Sequence, residues 1–181
     1  MINGGKLICI EGCNAEAYAH FLSKELGQRH IHSIEVPKKG SSSLSERALN
    51  TYYAANVGMA IDPELDIFLA LQQGVYNERI LPTLKGKTNV VSYLCTIPPG
   101  LYALFNPQKL QDYFTRLKDA REYYITDLTF ILEHEEESNL RPFRDLAEMV
   151  RMNNLSHEVV LVEGHRREEE ILRRALNKLQ R

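Results

Sequence analysis

The sequence has few cysteines, no apolar run long enough to cross a membrane and almost no excess of charge of either sign. Cys9, Cys13 and Cys95 are an odd number of cysteines without metal-site spacing. No secretory signal or membrane-spanning segment is recognisable. The formal net charge of -2 gives no overall attraction to nucleic acid or to a membrane surface. We therefore expect a protein of the cytoplasm, or of another reducing compartment, whose partners include neither nucleic acid nor membrane.

Metal-binding patterns are also missing from the sequence. His30 and His32 alternate along a predicted strand without a third ligand, and no histidine pair has a helical metal spacing. The acidic run 133–137 contains no glycine or asparagine of the kind that a calcium loop uses, so it is interpreted as the solvated start of a helix. The sequence predicts no structural metal.

Apolar strand patterns alternate with amphipathic helix patterns along the whole chain. This alternation predicts one α/β domain over residues 1–181, with a five-stranded, mostly parallel sheet between two layers of helices. Gly27 is the predicted end of the first helix, and Ser43 or Ser45 the cap of the second. In the last helix, Glu169 with Arg173 and Glu170 with Arg174 are predicted ion pairs. The predicted strands are 6–10, 31–36, 89–94, 127–132 and 158–162, and the predicted helices are 15–26, 43–56, 62–84, 107–122, 141–154 and 166–181.

The stretch 6–20 is the one from which a function can be argued. Its apolar strand turns at Gly12 and continues into an alanine-rich helix, as in proteins that bind nucleotide phosphates at this turn. The phosphate-binding pattern G-x-x-x-x-G-K-[ST] requires a second glycine, a lysine and a hydroxyl, but this chain has Ala17, Tyr18 and Ala19. The architecture of a nucleotide-binding protein is therefore predicted without the usual phosphate-binding residues.

Six motifs in order along the chain resemble those of the thymidylate kinase family, which are P-loop nucleoside monophosphate kinases. They are Ile10-Glu11-Gly12, Glu35-Val36-Pro37, Phe68-Leu69-Ala70-Leu71-Gln72, Ile80-Leu81-Pro82-Thr83-Leu84-Lys85-Gly86, Val90-Val91-Ser92-Tyr93-Leu94 and Thr126-Asp127-Leu128-Thr129-Phe130-Ile131-Leu132. The resemblance implies a P-loop kinase-like fold and a homodimer formed through the long helix 63–84. It also implies transfer of phosphate from ATP to dTMP with magnesium, under a mobile lid.

The residues that would carry this reaction differ from the family pattern. Tyr18 replaces the loop lysine, Gln72 replaces an arginine, and Ser92 and Tyr93 replace an aspartate and an arginine. The lid region between the fourth and fifth strands is short, and Arg141, Arg144 and Arg151 are either its remnants or a solvated helix face. We expect a non-catalytic relative that binds a nucleotide or a protein. The alternative is an active nucleoside monophosphate kinase with a rebuilt phosphate site, which would use ATP and Mg²⁺.

Seven residues are candidates for ligand binding, and four of them also have a simpler structural interpretation. Asn14 could bind a sugar or form a turn, and Tyr18 could stack on a ligand or fill the core. Lys38 and Lys39, followed by glycine and three serines, could hold an anion or belong to a polar loop. No catalytic residue and no metal ligand are predicted. The candidates are Glu11, Asn14, Tyr18, Lys38, Lys39, Gln72 and Tyr93.

Overall fold

The computed structural model describes residues 4–12, 14–38, 40–56, 65–93, 115, 125–132 and 141–180. Five strands and six α-helices are named here in chain order, with one π-helical turn between α3 and α4. The strands are β1 (Leu7–Gly12), β2 (Ser33–Val36), β3 (Asn89–Ser92), β4 (Leu128–Leu132) and β5 (Val159–Val162). The helices are α1 (Ala15–Gln28), α2 (Leu44–Asn56), α3 (Leu65–Val75), the π turn (Tyr76–Ile80), α4 (Leu81–Lys85), α5 (Arg141–Met152) and α6 (Arg167–Leu179).

All five strands form one parallel sheet in the order β2-β3-β1-β4-β5. The central strands are apolar and buried, as expected when helices cover both faces of a parallel sheet; every residue of β4 is buried. Cys9 is fully buried in β1, between Ser92 of β3 and Thr129 of β4, which confirms its prediction as a small core residue. The predicted α/β fold with a five-stranded parallel sheet is confirmed.

The two faces of the sheet carry different helices. His20 of α1 lies 3.2 Å from Glu35 of β2, so α1 covers the face to which Glu35 belongs. Glu35 pairs in register with Val91, and Val91 pairs with Ile8, which places Ile8 on the same face. Side chains alternate along a strand, so Glu11 lies on the opposite face. The core between α1 and the sheet includes Ala19, Leu22 and Leu26, and α6 packs against α1.

The end of α1 differs from the sequence prediction, whereas the start of α2 agrees with it. The prediction that α1 ends at Gly27 was wrong, because the helix continues to Gln28 and His30 adopts the left-handed conformation that closes it, with φ 58°. The amide of Ile31 donates to the carbonyl of Leu26 at 2.9 Å, as in a Schellman motif. At the start of α2, Ser43 is confirmed as the cap, since its hydroxyl accepts from the amide of Glu46 at 3.2 Å.

The predicted long helix is present from residue 65 to residue 85 but changes its hydrogen bonding before Pro82. Proline has no amide hydrogen and its ring disfavours the α-helical turn before it. Here the chain forms the π turn Tyr76–Ile80, closed by the amide of Leu81 donating to the carbonyl of Tyr76. The predicted cap Asp62 and the helix 107–122, apart from helical Thr115, lie outside the described residues.

The described ranges contain neither a membrane-spanning helix nor a cluster of metal-binding side chains. No helix in them has both the length and the apolar content that crossing a membrane requires. The same part of the chain holds no group of three or more histidine, cysteine, aspartate or glutamate side chains placed to bind a metal ion.

Candidate functional site

The strand order locates the candidate site at the carboxyl end of β1. The chain runs from β1 to β2 and β3 on one side of the sheet and then crosses to β4 and β5 on the other. Ligands of open α/β sheets bind outside the carboxyl ends of the strands where the order reverses in this way. We call this end of the sheet the carboxyl edge and the opposite end the amino edge.

The turn between β1 and α1 depends on a glycine. Gly12 has φ 105°, and a Cβ at this position would lie 2.2 Å from the carbonyl oxygen of Leu132 on β4. Asn14 is exposed and also adopts a left-handed conformation, with φ 58°. Asn14 therefore forms the turn, which is its simpler structural interpretation, and its side chain faces solvent.

The helix α1 begins immediately after Asn14. Residues 15–17 are already helical, and the amide of Tyr18 donates to the carbonyl of Asn14 at 3.2 Å. In the G-x-x-x-x-G-K-[ST] pattern these positions belong to the loop whose amides surround the phosphates. The amides of the first turn of α1 have no acceptor within the helix, and they face the carboxyl edge. Tyr18 is partly buried against the core, in line with the interpretation of Tyr18 as a residue that fills space.

Two carboxylates lie at this turn. Glu11, at the end of β1, is 1% exposed, and its Oε1 lies 3.1 Å from the Sγ of Cys9. Glu16 is in the first turn of α1. Negative charge at a helix N-terminus is favourable for the helix, but it opposes the binding of a second anion at the same place. Glu16 therefore lies beside the amides that a phosphate group at this turn would contact.

Gln72 and Tyr93 lie inside the protein. Gln72 of α3 is 3% exposed, and Tyr93, just after β3, is 2% exposed. The hydroxyl of Tyr93 donates to Oδ1 of Asn50 on α2 at 3.1 Å. The side-chain amide of Asn50 donates to the carbonyl of Lys38 at 3.4 Å. Asn50 thus joins the carboxyl ends of β2 and β3, so Tyr93 stabilises this junction in the structure.

The segment after β2, predicted as an anion-binding loop, surrounds a carboxylate of the chain itself. Glu46 of α2 is fully buried, and its Oε1 accepts from the amide of Lys38 at 3.3 Å. Its Oε2 accepts from the hydroxyl of Ser41 and lies 3.5 Å from Nε of Arg79. The side chain of Lys38 is exposed, and Lys39 lies outside the described residues. Donors that could have faced an external anion are thereby directed at Glu46.

A second carboxylate binds the start of α2 from the π turn. Hydrogen bonds from Ser45 and Ser43 lower the pKa of Glu78 below its usual value, and the neighbouring Arg79 adds a smaller electrostatic effect. The backbone of Gly74 passes close to Ser45, since a Cβ on Gly74 would lie 2.9 Å from its hydroxyl. The π turn therefore holds Glu78 and Arg79 against the first turn of α2.

The arginines interpreted as possible lid remnants contact the ends of β5. Arg144 lies 3.5 Å from Glu163, with both side chains largely exposed, and Arg151 donates to the carbonyl of Val159 at 2.9 Å. The side chain of Arg141 lies outside the described residues. These contacts are those of a solvated helix face.

The structure brings the predicted residues together only in part. Glu11, Asn14 and Tyr18 belong to the β1–α1 turn, while Lys38 and Tyr93 are joined through Asn50. Sequence reasoning missed Glu46, Asn50, Glu78 and Arg79. The spacing Ser43-x-x-Glu46 is that of a capping box and could have indicated Glu46, whereas the other three depend on the packing of α2 against the π turn.

Comparison with solved structures identifies first the class of fold and then the particular enzymes that share it. The five parallel strands and their flanking helices are the α/β fold of P-loop kinases, and specifically that of thymidylate kinases. The thymidylate kinase from Ehrlichia chaffeensis superposes with a TM-score of 0.59 over 98% of this chain and 100% of its own, at 15% identity. A second thymidylate kinase, from Candida albicans, gives a TM-score of 0.49 over 98% of this chain and 92% of its own, at 12% identity.

The sequence comparisons gave no match. No profile of a known protein family fits the sequence. No curated protein is similar to it either. At 15% identity the structural likeness shows the fold alone.

Proposed function

We propose that this chain is a non-catalytic protein with the thymidylate kinase fold, and that it acts by binding a protein partner. The observation that carries the proposal is the start of α1 at Ala15, where a phosphate-binding loop would need residues 15–17 to be non-helical. The absence of the loop lysine from the sequence supports it.

The size of the expected catalytic loss follows from the chemistry. Phosphoryl transfer depends almost entirely on positioning and on stabilising developing charge. Removing one preorganised charge-stabilising group costs about 3 to 4 kcal/mol. Losing a lysine, an arginine and an aspartate together would slow the reaction by roughly a million-fold or more, even allowing for non-additive effects.

Two other functions have weaker support. Nucleotide binding without catalysis would need polar side chains facing the crevice, and Asn14 is exposed there, but Glu11, Gln72 and Tyr93 are each at least 97% buried. An active kinase using ATP and Mg²⁺ would need a rebuilt phosphate site, and the amide of Lys38, one of its expected donors, instead binds Glu46. A homodimer through the long helix remains a prediction from the family resemblance, and it is compatible with a binding role.

A thermal-shift screen with ATP and Mg²⁺, dTMP and inorganic phosphate tests this proposal. A ligand at a hundred times its Kd stabilises by about 2.7 kcal/mol, which corresponds to roughly 5 to 10 °C for a chain of this size. We expect shifts below about 1 °C, while a thymidylate kinase with an intact loop, run in parallel, shifts by several degrees. A shift of 5 °C or more with any one nucleotide would contradict the proposed protein-binding role and would indicate nucleotide binding instead.

A further inference from the structure

A group of basic side chains lies at the amino edge of the sheet, away from the candidate site. We name it the basic amino edge and define it as Lys6, His30, His32, Lys85 and Lys87. It comes from three segments that backbone bonds hold together. The amide of Gly5 donates to the carbonyl of Leu84 at 2.9 Å, the amide of Lys6 to Oδ1 of Asn89 at 2.9 Å, and the amide of Asn89 to the carbonyl of His32 at 3.3 Å.

Most of this charge faces solvent. Lys85, Lys87, His30 and His32 are exposed, and neither Lys85 nor Lys87 forms an ion pair with any residue that the structure describes. Among the described residues, Asp127 is the acidic partner of this surface; it lies 3.3 Å from the ammonium group of Lys6 and also accepts from the amide of Leu7. Within the described part of the chain, the basic amino edge therefore has two lysines whose charge is not balanced.

Two of the basic residues occupy backbone conformations that glycine would adopt more readily. His30 has φ 58° and Lys87 has φ 63°, each two residues after the last residue of its helix, α1 or α4. A positive group at a helix C-terminus is favoured by the helix dipole, which accounts for one basic residue at each end. Lys6, Lys85 and His32 add further basic groups to the same surface, beyond what the two helix ends require.

We propose that the basic amino edge docks a short acidic segment of a partner protein. Lys6, Lys85 and Lys87 contribute +3 and Asp127 contributes -1, a local charge of +2 on a chain of net -2. The rest of the molecule then carries -4, because -2 minus +2 is -4, and this charge repels a long polyanion such as a nucleic acid. Arg29, which precedes His30, is paired with Glu25 at 2.6 Å, so the unpaired charge of this surface comes from lysine and not from arginine, the residue best suited to phosphate.

The size of the surface fits a short segment. Three neighbouring strand starts, those of β2, β3 and β1, span about 10 Å at the usual strand spacing. This width accommodates two or three carboxylates of one extended peptide. Because the surface lies at the opposite end of the strands from the β1–α1 turn, its test is independent of the nucleotide question.

The test uses a fluorescein-labelled twelve-residue peptide of alternating glutamate and serine, titrated with the full chain at low salt and followed by fluorescence anisotropy. Lys85→Glu with Lys87→Glu should weaken binding by about tenfold or more, and raising the salt should weaken binding to the unchanged chain. Arg47→Glu, an exposed charge reversal on α2 that changes the net charge by half as much, is the control and should change binding less than twofold. Amide chemical-shift changes should be concentrated at residues 30–32 and 84–89.

Three results would overturn the proposal. The first is equal weakening by Arg47→Glu, and the second is a set of shift changes away from the basic amino edge. The third is tighter binding of a DNA duplex or of phosphatidylserine vesicles than of the peptide. The variant Lys85→Ser with Lys87→Gly removes both charges, and glycine adopts the left-handed conformation at residue 87 without strain. Weaker binding by this variant therefore reflects the lost charges and not a loss of folding.

Discussion

At the scale of single residues, Gly12 fixes the geometry at the end of β1. Gly12→Ala would place a methyl group 2.2 Å from a backbone carbonyl on β4, at a φ of 105° that L-residues avoid. We expect this change to lower the free energy of unfolding by roughly 2 to 4 kcal/mol, measured by urea denaturation. Gly27→Ala is the control, since a Cβ at this helical position meets nothing within 4 Å. It should stabilise by about 0.5 to 1 kcal/mol, and equal losses in both variants would contradict the steric argument.

Glu46 is the second such residue, because its buried carboxylate holds the loop after β2 in place. Glu46→Gln removes the charge that the amide of Lys38, the hydroxyl of Ser41 and the guanidinium of Arg79 share in a buried position. We expect a loss of about 1 to 3 kcal/mol in chemical denaturation. Glu163→Gln, which affects the exposed pair with Arg144, should change stability by less than about 0.5 kcal/mol. An effect of Glu46→Gln no larger than that of Glu163→Gln would show that the loop does not depend on its internal carboxylate.

The residues of the candidate site were predicted unevenly. Gly12 could be identified from sequence because a strand that turns into a helix leaves few positions for the chain reversal. The burial of Gln72 and Tyr93 could not be predicted, because it depends on how α2 and α3 pack over the sheet. The role of Glu46 was available as a capping-box pattern, but the contact with Arg79 depends on the π turn.

At the scale of elements, α6 illustrates both a correct and an incorrect ion-pair prediction. The pair Glu170 with Arg174 is confirmed at 2.9 Å. Arg173 binds Glu170 at 2.6 Å, so the predicted pairing of Arg173 with Glu169 was wrong. Neighbours at i+3 and i+4 are both within reach on a helix, and spacing alone does not choose between them.

The carboxylate of Glu170, which both Arg173 and Arg174 bind, makes the stability of α6 depend on pH. Hydrogen bonds from Arg173 and Arg174 lower the pKa of Glu170 below its usual value. Its contribution to stability is therefore fully present above the pKa of the unfolded chain, about 4.3, and is lost as the pH falls through the lower folded value. Glu170→Gln should remove part of the loss of stability seen in urea denaturation between pH 6 and pH 3. Glu169→Gln is the control, and an equal change in that variant would contradict the assignment.

The regular elements were more predictable than their ends. The strands and most helices follow from apolar periodicity, which the core requires. The true end of α1 passes Gly27 because His30 forms the left-handed closure instead, and nothing in the local pattern distinguishes the two positions. Pro82 signalled a disturbance of the long helix, but the local sequence does not specify that this disturbance is a π turn at Tyr76–Ile80.

At the scale of the whole molecule, the parallel sheet was predictable but its strand order was not. Alternation of strands and helices requires crossovers and hence a parallel sheet. The order β2-β3-β1-β4-β5 could be anticipated only through the motifs that resemble thymidylate kinases. Four of those six motifs lie at β1, β2, β3 and β4, and the other two lie along the long helix, so they are parts of the chain that build the fold. The fold is shared at 15% identity although no family profile fits the sequence.

The central claim, that the thymidylate kinase fold is present here without its phosphoryl-transfer activity, is tested most directly by a turnover measurement. A coupled assay would follow ADP release from ATP and Mg²⁺ with dTMP and a panel of other nucleoside monophosphates. Kinases with complete sites turn over at roughly 1 to 100 per second, and a million-fold loss would leave the rate far below about 0.001 per second. We predict no metal-dependent ADP release above that level with any acceptor. Metal-dependent turnover of about one per second with any of these acceptors would contradict the account.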